Sequence, residues 1–298
     1  MRAARLALLA LLCLSATANA MTALFYQPQT RDQGVPDASW PGIFSSVRGA
    51  GFDTLVIQWT QNGDAFAAPQ DKDWLAARMV NARAAGLHLV IGLNGDPDFF
   101  IRQQQPVRIL DTYFRSHAYA DAALAQYWVK RLGTDAISGW YLPLEIDDVR
   151  WRDNEARTSL NGWLIRASKL IRQQADKPVY ASSFFAGHMA PQQYAEMVGQ
   201  VTLQSGVKLW IQDGAGTGKL NVAERGAYLN ALADCARPSA QGVVYEIFRQ
   251  TGTDEAFQAE RRPAEEVRTM LQQRAACQGD SLFFSLRYLP FIDPALPH

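Results

Sequence analysis

Two glutamates in this chain of 298 residues each close a short β-rich run. Glu145 ends Tyr141-Leu142-Pro143-Leu144-Glu145, with Ile146-Asp147-Asp148 behind it, and Glu246 ends Val243-Val244-Tyr245-Glu246. A pair of carboxyl groups is the equipment for cutting a glycosidic bond: one, protonated, assists the departing oxygen, and the other, ionised, attacks the anomeric carbon or activates a water. A lone strand-end glutamate as often serves an ion pair or a helix cap, so the weight rests on the pair. Asp147, Asp148 and Asp213 are further carboxylates near the same ends and offer partners for an inverting arrangement, although helix capping and loop ion pairing are their commoner uses. This chemistry needs neither cofactor nor metal.

The elements that must hold the pair are legible from periodicity. Eight β-rich runs recur: Ala23 to Gln27, Thr54 to Gln58, His88 to Leu93, Gly139 to Leu144, Pro178 to Ser182, Lys208 to Gln212, Val243 to Tyr245 and Leu282 to Ser285. Helical segments lie between them, with Trp74 to Ala85 stopping at Gly86, Tyr119 to Leu132 at Gly133, and Pro263 to Ala276 before Gln278-Gly279. Eight strands alternating with helices predict a single (β/α)8 TIM barrel over residues 21–298, in which the fourth and seventh strands face each other across the mouth. A doubly wound sheet usually has fewer strands and often a glycine-rich loop after the first, which Tyr26-Gln27-Pro28-Gln29 is not. The run Gly214-Ala215-Gly216-Thr217-Gly218 lacks both the P-loop ending and dinucleotide spacing, so it reads as a plain flexible loop.

In such a barrel chemistry belongs at the C-terminal strand ends. These carry Tyr26, Gln27, Gln58, Trp59, Asn94, Ser182, Gln212, Asp213, Arg287 and Tyr288 beside the two glutamates, and the following loops add Asp96, Asp98, Phe99, Phe100, Trp151, Phe248 and Arg249. Amides and carboxylates can bind sugar hydroxyls while aromatic faces cover ring C–H patches, so a carbohydrate substrate is expected, with Trp151 among its contacts. Arg287 has two readings: a cation that keeps Glu246 ionised, or the partner of a rim aspartate. The stretch Asn94 to His117 is the longest rim loop and a candidate wall or lid.

Residues 1–20 have the layout of a secretory signal peptide, with Arg2 and Arg5, an apolar run from Leu6 to Leu14 and a close at Ala18-Asn19-Ala20. Leu12 stands where a lipobox ahead of Cys13 needs a small residue. A periplasmic or secreted protein with no later membrane span is expected. The whole chain carries 29 basic and 29 acidic residues, and 27 against 29 once Arg2 and Arg5 are gone, which is no nucleic-acid footprint. Protein partners leave no mark. Cys235 and Cys277 precede neighbouring strands at the N-terminal end of the barrel and are candidates for a disulfide, separate buried thiols being the other reading.

With the glutamates at those two strands, the sequence resembles the clan of retaining (β/α)8 glycoside hydrolases that carry the acid/base after strand 4 and the nucleophile after strand 7. It also looks like an uncharacterised family of bacterial secreted barrels grouped with them, through Tyr26-Gln27-Pro28, Gln58-Trp59, Trp140-Tyr141 to Asp147 and Gln212-Asp213-Gly214. The resemblance implies that Glu145 is the acid/base and Glu246 the nucleophile. Where the clan commonly has an asparagine before its acid/base, this chain has Leu144, leaving Gln58, Asn94 or Gln212 to supply an amide. Two rival functions stay open. One is a metal-dependent barrel using Glu145, Asp147, Asp213 and Glu246, against which stand only four histidines, with His117 and His188 reading as solvated loop residues. The other is a barrel without turnover that binds envelope or exported polysaccharide.

Overall fold

A computed structural model describes residues 20–252, 258–293 and 296–297, so nearly all of the leader lies outside the described residues. Eight parallel strands close into a barrel: β1 (Thr22–Tyr26), β2 (Thr54–Ile57), β3 (His88–Gly92), β4 (Gly139–Ile146), β5 (Val179–Ser183), β6 (Lys208–Gln212), β7 (Gly242–Glu246) and β8 (Asp280–Phe284). Each pairs with its neighbours in sequence, and β8 returns to β1 with Leu282 opposite Ala23. Helices α1 (Trp40–Gly49), α2 (Pro69–Ala84), α3 (Val107–Leu132), α4 (Asn154–Arg172), α5 (Pro191–Ser205), α6 (Val222–Leu232) and α7 (Ala264–Met270) follow β1 to β7 in turn. The protein is a single (β/α)8 barrel.

Strand alternation divides the apolar residues between two cores. Ala23 and Phe25 of β1 point into the lumen with Val56, Tyr141, Trp210 and Leu282, whereas Leu24 and Tyr26 face the helices. An aromatic layer fills the lumen: Tyr180 stacks on Trp210 at 4.2 Å between ring centroids, and Phe25 meets Tyr141 and Trp210 edge-on. The Trp210 indole N–H donates to Asp280 Oδ2 at 3.0 Å, so this buried polar group has its partner. The mouth above therefore rests on a solid floor and does not lead into a pore.

Two of the three expected helix stops follow the sequence signals. Gly86 and Gly133 take φ of +84° and +82° just past α2 and α3, a conformation that glycine adopts without penalty. Helix starts differ: α2 begins at Pro69, since proline is favoured in a first turn, and α7 ends at Met270, six residues early. The loop read as Asn94 to His117 is shorter than predicted. A one-turn helix, Phe99–Arg102, interrupts it, and α3 starts at Val107 directly after Pro106, so Tyr113 and His117 are helical. The longest excursion at the mouth instead follows β7, where Phe248–Gln250 and Ala259–Arg261 pair antiparallel. After β8, among the described residues, the chain makes a 3-10 turn, Leu286–Tyr288, with no further helix, and the tail buries Leu289, Ile292 and Leu296 in the outer core. No described helix is long and apolar enough to cross a membrane. At the opposite end of the barrel, Cys235 and Cys277 are joined by a disulfide with Cα atoms 5.0 Å apart.

Candidate active site

Glu145 keeps the inward phase of Tyr141 along β4, and the β4–β5 register shifts between Leu142 and Ile146, a bulge that re-aims the strand end. Its Oε1 accepts a hydrogen bond from Gln212 Nε2 at 2.7 Å, and the same amide nitrogen lies 3.3 Å from Ser182 Oγ, which bonds the Tyr141 hydroxyl at 2.8 Å. The inward residues of β4, β5 and β6 thus form one chain ending on a carboxyl oxygen. Burial pushes the Glu145 carboxyl above its usual range, and the Gln212 donor partly opposes this.

Glu246 ends β7 and is only 4% exposed. Its Oε2 accepts from the backbone N–H groups of Gly216 at 2.8 Å and Thr217 at 3.3 Å. Burial and the neighbouring charge of Asp213 push its carboxyl up to about 8 against those two donors, and the Glu145 charge adds to the rise. The glycine-rich run is thus a built cradle for Glu246 and no free loop. A Cβ on Gly216 would stand 2.5 Å from the Phe248 ring, so only glycine lets this backbone close over the carboxylate beside that aromatic. Arg262, which nothing in the sequence singles out, braces the cradle by donating to the carbonyls of Ala215 at 2.6 Å and Phe248 at 2.7 Å.

The other acidic residues are engaged locally. Asp213 accepts from the N–H groups of Ala215 and Glu246, each at 3.1 Å, with Arg225 at 3.5 Å. Asp147 accepts from Val149 N, Arg150 N and, at 2.7 Å, Gln103 Nε2; Asp148 accepts from the N–H groups of Ala186, His188 and Met189. Both therefore fasten loops. Among the described residues, no group of three or more His, Cys, Asp and Glu side chains is arranged to hold a metal ion.

Several predicted contacts lie elsewhere. Arg287 pairs with Asp32, its Nη2 lying 2.9 Å from both carboxylate oxygens, which realises the rim-aspartate reading and not the Glu246 one. Tyr26 gives its hydroxyl to the same aspartate at 3.0 Å. Trp151 is fully enclosed beside Phe114 and has no face to offer a ligand, and Tyr288 packs on Phe248 with 7% exposure. His117 is no solvated loop residue: it is buried on α3, its Nε2 2.9 Å from the Asn94 carbonyl, while Asp121 takes the Asn94 N–H. Leu144 packs in the outer core. Gln58, Gln27, Trp59, Asn94 and Gln212 remain as polar or aromatic groups at the strand ends. Gln58 is in phase with lumen-facing Val56, and its Oε1 is buried without a hydrogen-bond partner among the described residues. Trp59 donates to the Pro28 carbonyl and Gln27 accepts from Gln29.

Comparison with known proteins agrees with this architecture. The chain is 45% identical over 284 residues, 95% of each chain, to the uncharacterized protein YbcH of Escherichia coli strain K12. Among solved structures it resembles a candidate alpha-L-fucosidase from Bacteroides thetaiotaomicron VPI-5482, with a TM-score of 0.69 at 14% identity over 99% of this chain and 94% of that one. It also resembles a GH18 chitinase from Pseudoalteromonas aurantia (TM-score 0.50, 12% identity, 89% and 93% covered) and the exo-beta-1,4-mannosidase Op5Man5 from Opitutaceae bacterium strain TAV5 (0.51, 14%, 89% and 51%). At such identities the likeness concerns the barrel, which is glycosidase-like in fold. A family model described as Domain of unknown function (DUF4434) matches residues 21–295, and the chain belongs to that family.

Proposed function

We propose that this protein is a secreted or periplasmic glycoside hydrolase that acts on an oligosaccharide or polysaccharide through Glu145 and Glu246. The observation that carries the reading is the pair itself: two glutamates at the C-terminal ends of β4 and β7, each with one oxygen held by fixed donors. Glu145, with Gln212 on Oε1, keeps Oε2 to deliver a proton to the glycosidic oxygen as the bond to the anomeric carbon breaks. Glu246, with Oε2 held by two N–H groups, attacks that carbon through Oε1 in its ionised form, which the two donors favour and which burial beside Asp213 holds back until pH approaches about 8. Water then attacks the glycosyl ester with Glu145 as base, returning both groups to their starting state. The disulfide fits an oxidising compartment, as export requires.

Purified protein lacking residues 1–20 is incubated with a panel of bacterial and plant polysaccharides, with Glu246→Gln as control. New reducing ends from the wild type alone support the assignment and identify the substrate class. Glycan binding without cleavage by either protein would move the function to a polysaccharide-binding barrel.

A further inference from the structure

Asp147 and Asp148, immediately behind Glu145, fasten two different loops. Asp147 holds Gln103, whose backbone carbonyl also receives Arg150 Nε at 2.7 Å, so the loop after β3 is tied to the exit of β4. That loop is braced again at its start, where Asp96 takes the Tyr113 hydroxyl at 2.8 Å and Arg102 Nε at 2.9 Å. Asp148 does the same on the other side, gathering three backbone N–H groups of the loop after β5. Each fastened loop carries one phenylalanine that is not buried. Phe100 is 47% exposed and Phe184 is half-buried, and their rings meet at 6.1 Å with 64° between planes. Phe184 continues the alternation by which Tyr180 and Ser182 face the lumen, and its N–H donates to Ile146 O, one residue past Glu145.

Leaving two aromatic rings in water is unfavourable, and here they are also held stiffly by buried aspartates. Rigid, preorganised aromatic surface beside a proton donor is suited to the C–H face of a sugar ring. We infer that Phe100 and Phe184 form the platform for the ring on the leaving-group side of the bond that Glu145 protonates, so that the ligand has at least one sugar unit beyond the cleaved linkage. This rests on the glycosidase reading above, because only that reading makes Glu145 the proton donor.

The test uses the uncleaving Glu246→Gln protein, first on a printed array of bacterial and plant oligosaccharides and then by calorimetry with the best binder and its constituent monosaccharide. Phe100→Ala and Phe184→Ala, each in that background, should weaken the oligosaccharide about tenfold and the monosaccharide much less, while Phe291→Ala, which removes an exposed ring on the tail, should leave both unchanged. Circular dichroism melts verify folding, and Phe100→Ala alone suffices if Phe184→Ala unfolds. Oligosaccharide binding that is indifferent to Phe100→Ala would overturn the platform and leave the glycosidase reading standing. Equal losses for monosaccharide and oligosaccharide would overturn its placement beyond the cleaved bond. Binding to no sugar on the array would overturn both.

Discussion

The side-chain amide of Gln212 on β6 reaches past β5 to donate a 2.7 Å hydrogen bond to Glu145 on β4. Ser182, on the strand between, touches the same nitrogen at 3.3 Å and ties it to Tyr141. A residue two strands away thus lowers the proton affinity that burial raises in Glu145.

Removing that donor should move a pH profile. Because the Gln212 hydrogen bond lowers the Glu145 carboxyl, Gln212→Leu should shift the limb at which Glu145 loses its proton to higher pH. It should also cost about tenfold to a hundredfold in kcat/KM, the worth of a hydrogen bond to a charged group. Profiles of kcat/KM for both proteins provide the measurement, and an unmoved limb counts against Glu145 as the acid.

Glu246→Gln should reduce turnover by several orders of magnitude and at the same time raise stability in alkali. The folded carboxyl is raised to about 8, so its favourable contribution is full below the unfolded value near 4.5 and is lost as pH rises toward 8. Wild-type and variant melting temperatures should therefore agree near pH 4.5 and diverge by pH 8.5, with the variant higher. A wild type that remains the more stable at pH 8.5 would contradict the shift.

Gly216→Ala should strike the Phe248 ring, lowering stability by about 1–3 kcal/mol and activity with it, as overpacking does. Adding Phe248→Ala makes room, so the double variant should regain part of the activity lost by Gly216→Ala alone. Additive losses in a double-mutant cycle would show that the contact does not shape the cradle.

Asp32→Asn should cost about 3–5 kcal/mol in urea unfolding, because it leaves the buried guanidinium of Arg287 unpaired. Since Arg287 faces Asp32 and not Glu246, the activity profile of the surviving folded protein should keep its shape. A displaced limb would return Arg287 to the electrostatics of the site.

Strand positions were readable to within one or two residues because alternation leaves little freedom: a slip of one at Val243 to Tyr245 would turn Glu246 away from the mouth. The aligned ends then put Glu145, Gln212 and Glu246 at the same rim of the barrel, whatever the loops do. Partner choice in the loops was not readable in the same way. Nothing distinguishes Asp32, in a short polar 3-10 turn, from the other rim acids as the mate of Arg287, and Trp151 is apolar enough for either a cleft or a core. The Gly214 to Gly218 run advertised backbone freedom, but its purpose depends on Phe248, distant in sequence, and Arg262 gave no signal at all. Pro106 marks the true start of α3, since proline is favoured at a helix opening, and this is what makes the loop shorter than the one expected.

The Cys235–Cys277 bridge closes a covalent ring that contains all of β7 and α7 and stops just short of β8. Glu246, Phe248 and Arg262 ride on this lasso, whereas Glu145 and Gln212 belong to the open chain before it. Because the chain is made from its N-terminus, the ring becomes possible only when residue 277 has appeared, with the final strand still to follow. A bond at the far pole of the barrel thus tethers the segment that carries half of the proposed catalytic pair.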